Sequence, residues 1–397
     1  MPTAPRRAAA WLLAAAVLLA AACADTSSGR VRTTSPAAPD EIDVEFGRGS
    51  RLPTIECSGP WKAVDGQGRE QASGPSLAEG TAIAISRSEV VVGGIDCGPP
   101  PVALVPERGA SVGVAGRSYR GCLRLELDKG SPRLLNRVRI EDYLLGVVPG
   151  EMPERFGLEA LKAQAVAARS YAIAEDAASG RVYADTRSQM YAGREGESAL
   201  ASRAVKETKG EVLTANGRVV QAFYCSTCGG RTAPADSVFD GIPAGVMDRA
   251  VTCPDCRSSP SFAWVRRFPA DRVCTAAGLP AAKLERVTVA PATVPARVTT
   301  VTVQAGGLEA TVSAADFRSR LSAGRAKDDQ LLSTQLSAPP RIEEGELVLE
   351  GRGWGHGVGL CQYGAAGFAA RGATYSAILA RYYPGTELTR RDLSSTP

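Results

Sequence analysis

Between Leu158 and Ala178 the apolar positions Leu158, Leu161, Ala165, Ala168 and Ala172 recur at helical spacing, with Lys162, Gln164, Arg169 and Glu175 elsewhere on the cylinder. This pattern predicts one long helix. Upstream, Glu141 to Val147 supports a short helix that Pro149 and Pro153 interrupt, because the residue before a proline is pushed towards extended geometry. Glu151 is therefore expected on a constrained, non-helical bridge. Ser198 to Lys209 predicts a further helix with Gly210 past its end. Glu211–Thr214 and Arg218–Tyr224 then flank Asn216-Gly217, the favoured dipeptide of a two-residue hairpin. Val298–Val303 and Leu308–Val312 predict another β pair, and Thr374–Tyr383 a last helix stopped by Pro384. From Arg51 to Ser118, short apolar runs alternate with Gly and Pro turns, as in a small β-rich unit. The predicted class is α+β.

The N-terminus sets the compartment. Arg6 and Arg7 precede an apolar run from Ala8 to Ala22, shorter than a bilayer span, and no comparable stretch occurs later, so the expectation is a signal peptide and no transmembrane helix. Leu18 to Cys23 also resembles a lipoprotein cleavage site, with Cys23 lipidated and anchoring the chain to the membrane; ordinary cleavage after small residues is the alternative. Residues 24–50, rich in Ser, Thr, Pro and Ala, are expected to be a disordered linker. The expected division is 1–23 signal, 24–50 linker, 51–118 β-rich region, 119–390 main domain and 391–397 tail. A net charge of +4 without clustered Lys and Arg argues against nucleic acid and fits weak attraction to an anionic wall or membrane surface.

Cysteine and histidine usage narrows the chemistry. Cys225-x-x-Cys228 and Cys253-x-x-Cys256 suit a closed, structural zinc site, which would pin the hairpin end rather than catalyse; disulfides formed after export are the competing reading. Cys57 and Cys97 are the first guess for a separate disulfide. His356 is the only histidine, which rules out HExxH and three-histidine metal centres, and a cysteine-hydrolase site would have to pair it with Cys361. The glycine-rich run from Gly351 to Gly359 spells no phosphate loop. It either lets the backbone approach a bulky ligand beside His356, Gln362 and Tyr363 or forms a plain turn. Glu151, flanked by Val147, Val148 and Met152, has a neighbourhood able to raise a carboxyl pKa. A carboxylate at a helix start is the structural alternative.

Several motifs occur in order along the chain. They are Asp142-Tyr143-Leu-Leu-Gly-Val-Val-Pro-Gly-Glu151-Met-Pro153, Leu161-Lys-Ala-Gln-Ala-Val-Ala-Ala-Arg-Ser-Tyr171, Ser188-Gln-Met-Tyr191, Ser226-Thr-Cys-Gly-Gly-Arg231 and Gly353-Trp-Gly-His-Gly-Val-Gly-Leu-Cys-Gln-Tyr-Gly-Ala365. On these, Tyr119 to Leu388 resembles stage II sporulation protein D and its amidase-enhancer relatives, the SpoIID/LytB family. The resemblance implies a lytic transglycosylase that cuts peptidoglycan glycan strands in wall remodelling with Glu151 as its single acid/base, leaving 1,6-anhydro-muramyl ends. It equally accommodates a non-catalytic wall-binding module that enhances a partner amidase. It further implies that Gln164, Arg169, Tyr171, Gln189, Tyr191, His356, Gln362 and Tyr363 line the glycan groove. Cys225 stands where many relatives carry histidine, which implies an all-cysteine metal site. Leu360-Cys361 stands where Met-Ser is common, so Cys361 is expected to be a packing variant.

Overall fold

The computed structural model describes residues 40–239, 242, 245–291 and 296–391. The signal sequence and Cys23 lie outside them, as does most of the linker. Among the described residues no helix is long and apolar enough to cross a membrane.

Seven strands form the main sheet, in the order Val182–Tyr183, Glu41–Arg48, Ser131–Arg139, Cys122–Asp128, Val102–Pro106, Trp61–Val64 and Glu70–Gly74. Only the first pair is parallel. Two expectations are corrected by this sheet. Residues 41–48, assigned to the linker, are an inner strand. Ile42 and Val44 alternate into the core, and the acids that follow each of them meet arginines: Asp43 pairs with Arg124 and Arg137, and Glu45 with Arg133. Acidic charge is thus neutralised inside the sheet. The region 51–118 supplies three of the seven strands and packs into the same hydrophobic cluster as the rest, so it is no separate unit. Cys57 and Cys97 are both buried and unbonded, serving as small apolar core residues rather than a disulfide.

Helix α1 (Ile140–Glu151) continues directly from the sheet. Pro149 lies inside it, which corrects the expected bridge: Glu151 is the last helical residue. A proline in a helix costs about 3 kcal/mol, whereas burial of Leu144, Val147 and Val148, each completely enclosed, returns roughly 1.5–3 kcal/mol per side chain. Packing therefore carries the helix to Glu151, and Met152 donates its N–H to Val148 O before Pro153 turns the chain. Helix α2 (Leu158–Ser179) matches the predicted periodicity and ends at Gly180 in the left-handed region. Helix α3 (Ala199–Glu207) leads into Glu211–Ala215, and the hairpin turns at Asn216 and Gly217, both with positive φ.

Residues 263–352 form a second layer with its own core. Strand Ala263–Phe268 pairs with Glu346–Arg352, and between them lie α4 (Ala270–Ala277), a three-stranded meander that includes the predicted pair (Thr300–Ala305 with Leu308–Ser313), and α5 (Ala314–Ser322). Phe268, Val303, Phe317, Leu321 and Leu347 fill a cluster distinct from the main one. The chain then returns to the main core through Leu360–Cys361, α6 (Gln362–Ala370) and α7 (Tyr375–Tyr382).

Candidate active site

Glu151 sits where the end of α1 meets the segment before Tyr191 and the short parallel pair Tyr224–Cys225 with Leu360–Cys361. Its Oε1 accepts the Met190 N–H at 2.7 Å. Gly150 permits this approach, since a Cβ there would lie 2.8 Å from Met190 O. The Tyr224 and Gln362 side chains also approach the carboxyl and favour its ionised form.

The two side chains are held by residues further inside. Gln189 uses both amide hydrogens, on Ala168 O (3.2 Å) and on the Tyr224 hydroxyl (3.0 Å), while its Oε1 accepts from Tyr143 (3.1 Å). With its oxygen accepting from Gln189, Tyr224 keeps its own hydrogen available for Glu151. Gln362 similarly donates to Gln164 Oε1 at 3.3 Å, leaving its second amide hydrogen for the acid. Burial raises the Glu151 pKa, and it outweighs the three donors, which favour the ionised form. The carboxyl is thus easier to protonate than an ordinary glutamate, yet ready-made partners await its anion.

Other nearby acids are committed elsewhere. Glu141 binds Arg169 at 2.8 Å, Glu154 accepts from Leu200 N, and Asp185 pairs with Arg187.

The residues expected in a glycan groove divide sharply. Gln164, Arg169 and Gln189 are fully enclosed and Tyr191 nearly so, so none of them can touch a polymer. Arg169 is a structural cation, chelated by Glu141 and donating to Glu211 O and Val205 O. Tyr191 packs among Phe46, Tyr119 and Tyr143. Tyr171 is also buried, with its ring edge-on to Phe223 and Tyr224. His356 is a brace: Nε2 donates to Tyr224 O at 2.8 Å, Nδ1 accepts from Val358 N, and burial pushes its pKa down to about 4. With both ring nitrogens engaged it cannot serve Cys361 as a base. Gln362 is largely buried but reaches Glu151, and Tyr363 remains partly exposed against Phe156.

Two residues with direct roles were missed. Tyr224 lay at the predicted hairpin end, with only its neighbour Cys225 singled out. Met190, the middle of Ser188-Gln-Met-Tyr191, supplies its backbone donor and an exposed apolar side chain beside the acid. The glycine-rich run is also reassigned. A Cβ at Gly353 would overlap Thr227 O, one at Gly357 the Arg297 guanidinium, and one at Gly359 Phe223 O. These glycines let backbone pass between the two cores rather than admit a ligand.

The cysteines regroup as well. Cys228, Cys253, Cys256 and Cys361 bring all four sulfurs within 4.8 Å of one another. Cys225, expected in that set, instead lies against Gly355, and Cys361, expected to be mere packing, takes the fourth corner.

Residues 128–214 match the family model described as Stage II sporulation protein, SpoIID. An uncharacterized protein of Brachyspira hyodysenteriae is 27% identical over 341 residues, 84% of this chain and 89% of that protein. The Stage II sporulation protein D of Bacillus subtilis is 28% identical over 280 residues, 65% of this chain and 76% of the relative. The Amidase enhancer of the same organism is 29% identical over 287 residues, 62% of this chain but only 40% of the longer relative.

Proposed function

We propose, from the premise that this chain belongs to the SpoIID/LytB family, that it has a cell-wall role and acts as a peptidoglycan lytic transglycosylase with Glu151 as its acid and base. The observation that carries the reading is the environment of Glu151: a desolvated carboxyl with raised pKa, bonded by Met190 N–H and approached by Tyr224 and Gln362, while neighbouring acids are tied to other partners.

Protonated Glu151 donates to the glycosidic oxygen between N-acetylmuramic acid and N-acetylglucosamine. The resulting carboxylate, stabilised by Tyr224, Gln362 and Met190 N–H, accepts the proton of the muramyl C6 hydroxyl as that oxygen bonds to C1. The bond to the leaving sugar breaks, a 1,6-anhydro ring forms, and the proton count on Glu151 is restored. No second protein carboxylate is needed, in contrast to most glycosidases. Export by residues 1–23 and a lipid on Cys23 would hold this chemistry at the outer face of the cytoplasmic membrane, within reach of glycan strands and a partner amidase.

The test is digestion of intact and stem-stripped peptidoglycan by the wild type and Glu151→Gln, with strand ends identified by mass spectrometry. Anhydro-muramyl ends are expected, reduced about 10²- to 10⁴-fold in the variant. Reducing ends would instead identify a hydrolase. Retained strand binding with no cleavage by the wild type would leave the amidase-enhancing reading in its place.

A further inference from the structure

The clustered thiols adjoin the strand pair that carries Tyr224 and leads into Gln362: Cys361 ends one strand and Cys228 follows the other by three residues. Cys228 and Cys256 sulfurs are 3.8 Å apart. A disulfide is about 2.05 Å long, whereas four thiolates at about 2.3 Å around tetrahedral zinc stand about 3.8 Å from one another. All four cysteines are buried and none is cross-linked.

The surroundings are arranged for negative sulfur. Cys361 Sγ accepts N–H groups from Cys228 (3.3 Å) and Gly364 (3.4 Å), and the Tyr382 hydroxyl lies 3.0 Å from Cys253 Sγ. Donors of this kind orient and stabilise metal-bound ligands. Gly364 keeps the space open, since a Cβ there would overlap both Tyr382 and Cys253. A cation also waits nearby. Arg297 lies within electrostatic reach of Cys225 and, more weakly, of Cys228, and its Nη1 is buried without a hydrogen-bond partner among the described residues. Zinc bound by four thiolates carries a net charge of −2, which supplies the anion this guanidinium lacks.

We propose that Cys228, Cys253, Cys256 and Cys361 bind one zinc ion as a closed tetrathiolate site, with Cys225 excluded. On binding, Zn²⁺ displaces four thiol protons to solvent. The site is buried from all four corners and has no open position for substrate, so its role is a clasp. Cys361 directly precedes Gln362, and Leu360–Cys361 is bridged in parallel to Tyr224–Cys225. One ion therefore secures both side chains that approach Glu151. The proposal stands independently of the transglycosylase reading.

The full chain, purified without chelator, is expected to carry one zinc by elemental analysis and native mass spectrometry. Cys225→Ser and Glu151→Gln retain it, while Cys361→Ser loses it. Cobalt reconstitution gives the charge-transfer spectrum of four thiolates, unchanged in Cys225→Ser. It is shifted towards three sulfurs and one nitrogen in Cys361→His, a variant that keeps a ligand and so guards against simple misfolding. Chelation raises hydrogen exchange at the amides of Cys228 and Gly364. A metal-free chain whose mass is lower by the hydrogens of two disulfides overturns the proposal, as does loss of zinc from Cys225→Ser with retention in Cys361→Ser.

Discussion

At Glu151 two opposing effects act on a single carboxyl, and their signs can be tested separately. Burial disfavours the charge, while Tyr224, Gln362 and Met190 N–H favour it, and the net shift is upward. Removing one donor must therefore raise the pKa further. Tyr224→Phe is expected to move the alkaline limb of the cleavage rate to higher pH, because more of the acid stays protonated. The rate itself should fall by about tenfold or more, since a hydrogen bond to a charged group contributes roughly 1.5–3 kcal/mol. An unshifted limb in the pH–rate profile would mean that Tyr224 does not act on this carboxyl. Residue types in the motifs were readable from sequence, but burial was not. Gln164, Arg169 and Gln189 have the chemistry of ligand-binding groups, and only the fold reveals them as enclosed supports for residues that do reach the site.

At the scale of elements, α1 and the segment leading to Tyr191 are set by how closely backbones approach. Gly146 and Gly150 face that segment, and a methyl at position 150 would press on Met190 O. Gly150→Ala is expected to displace Met190 N–H from Glu151 and lower turnover severalfold while the far-ultraviolet spectrum of the protein is retained. Full activity would show that the contact is dispensable. Helical periodicity identified α2 well, because its pattern is local. The proline in α1 misled, since the burial that outweighs it involves side chains on other elements. The strand Glu41–Arg48 was hidden for a related reason: it was grouped with the Ser-, Thr-, Pro- and Ala-rich stretch before it, and the partners of its acids, Arg124, Arg133 and Arg137, come about ninety positions later.

At the scale of the whole molecule, α2 is tied to the inner strand by a carboxyl whose charge works against folding. Asp176 accepts the Asp43 N–H at 3.5 Å, and burial raises its pKa to about 6. A folded pKa above the unfolded value of about 3.9 means a stabilising contribution that is complete below about pH 4 and is lost as pH rises through about 6. Asp176→Asn keeps the acceptor without the charge. It should therefore raise the melting temperature at pH 7, with the gain fading towards pH 4; an equal gain at both values would rule out titration as the cause. The second core, 263–352, was invisible to a reading that found its strands but could not tell which cluster they fill.

The stem of that second core has a consequence for how such a chain can change. Ala263 and Arg352 are direct partners across antiparallel strands, and the pairing continues to Phe268 and Leu347. The polypeptide thus leaves the main body and rejoins it at one covalent doorway, while Leu332 and Arg297 within the segment reach back to Gly355 and Gly357. Length gained or lost at the Gly306-Gly307 turn, which joins Thr300–Ala305 to Leu308–Ser313, leaves the spacing of Ala263 and Arg352 unchanged, so that turn is where descendants of the fold are free to grow or shrink.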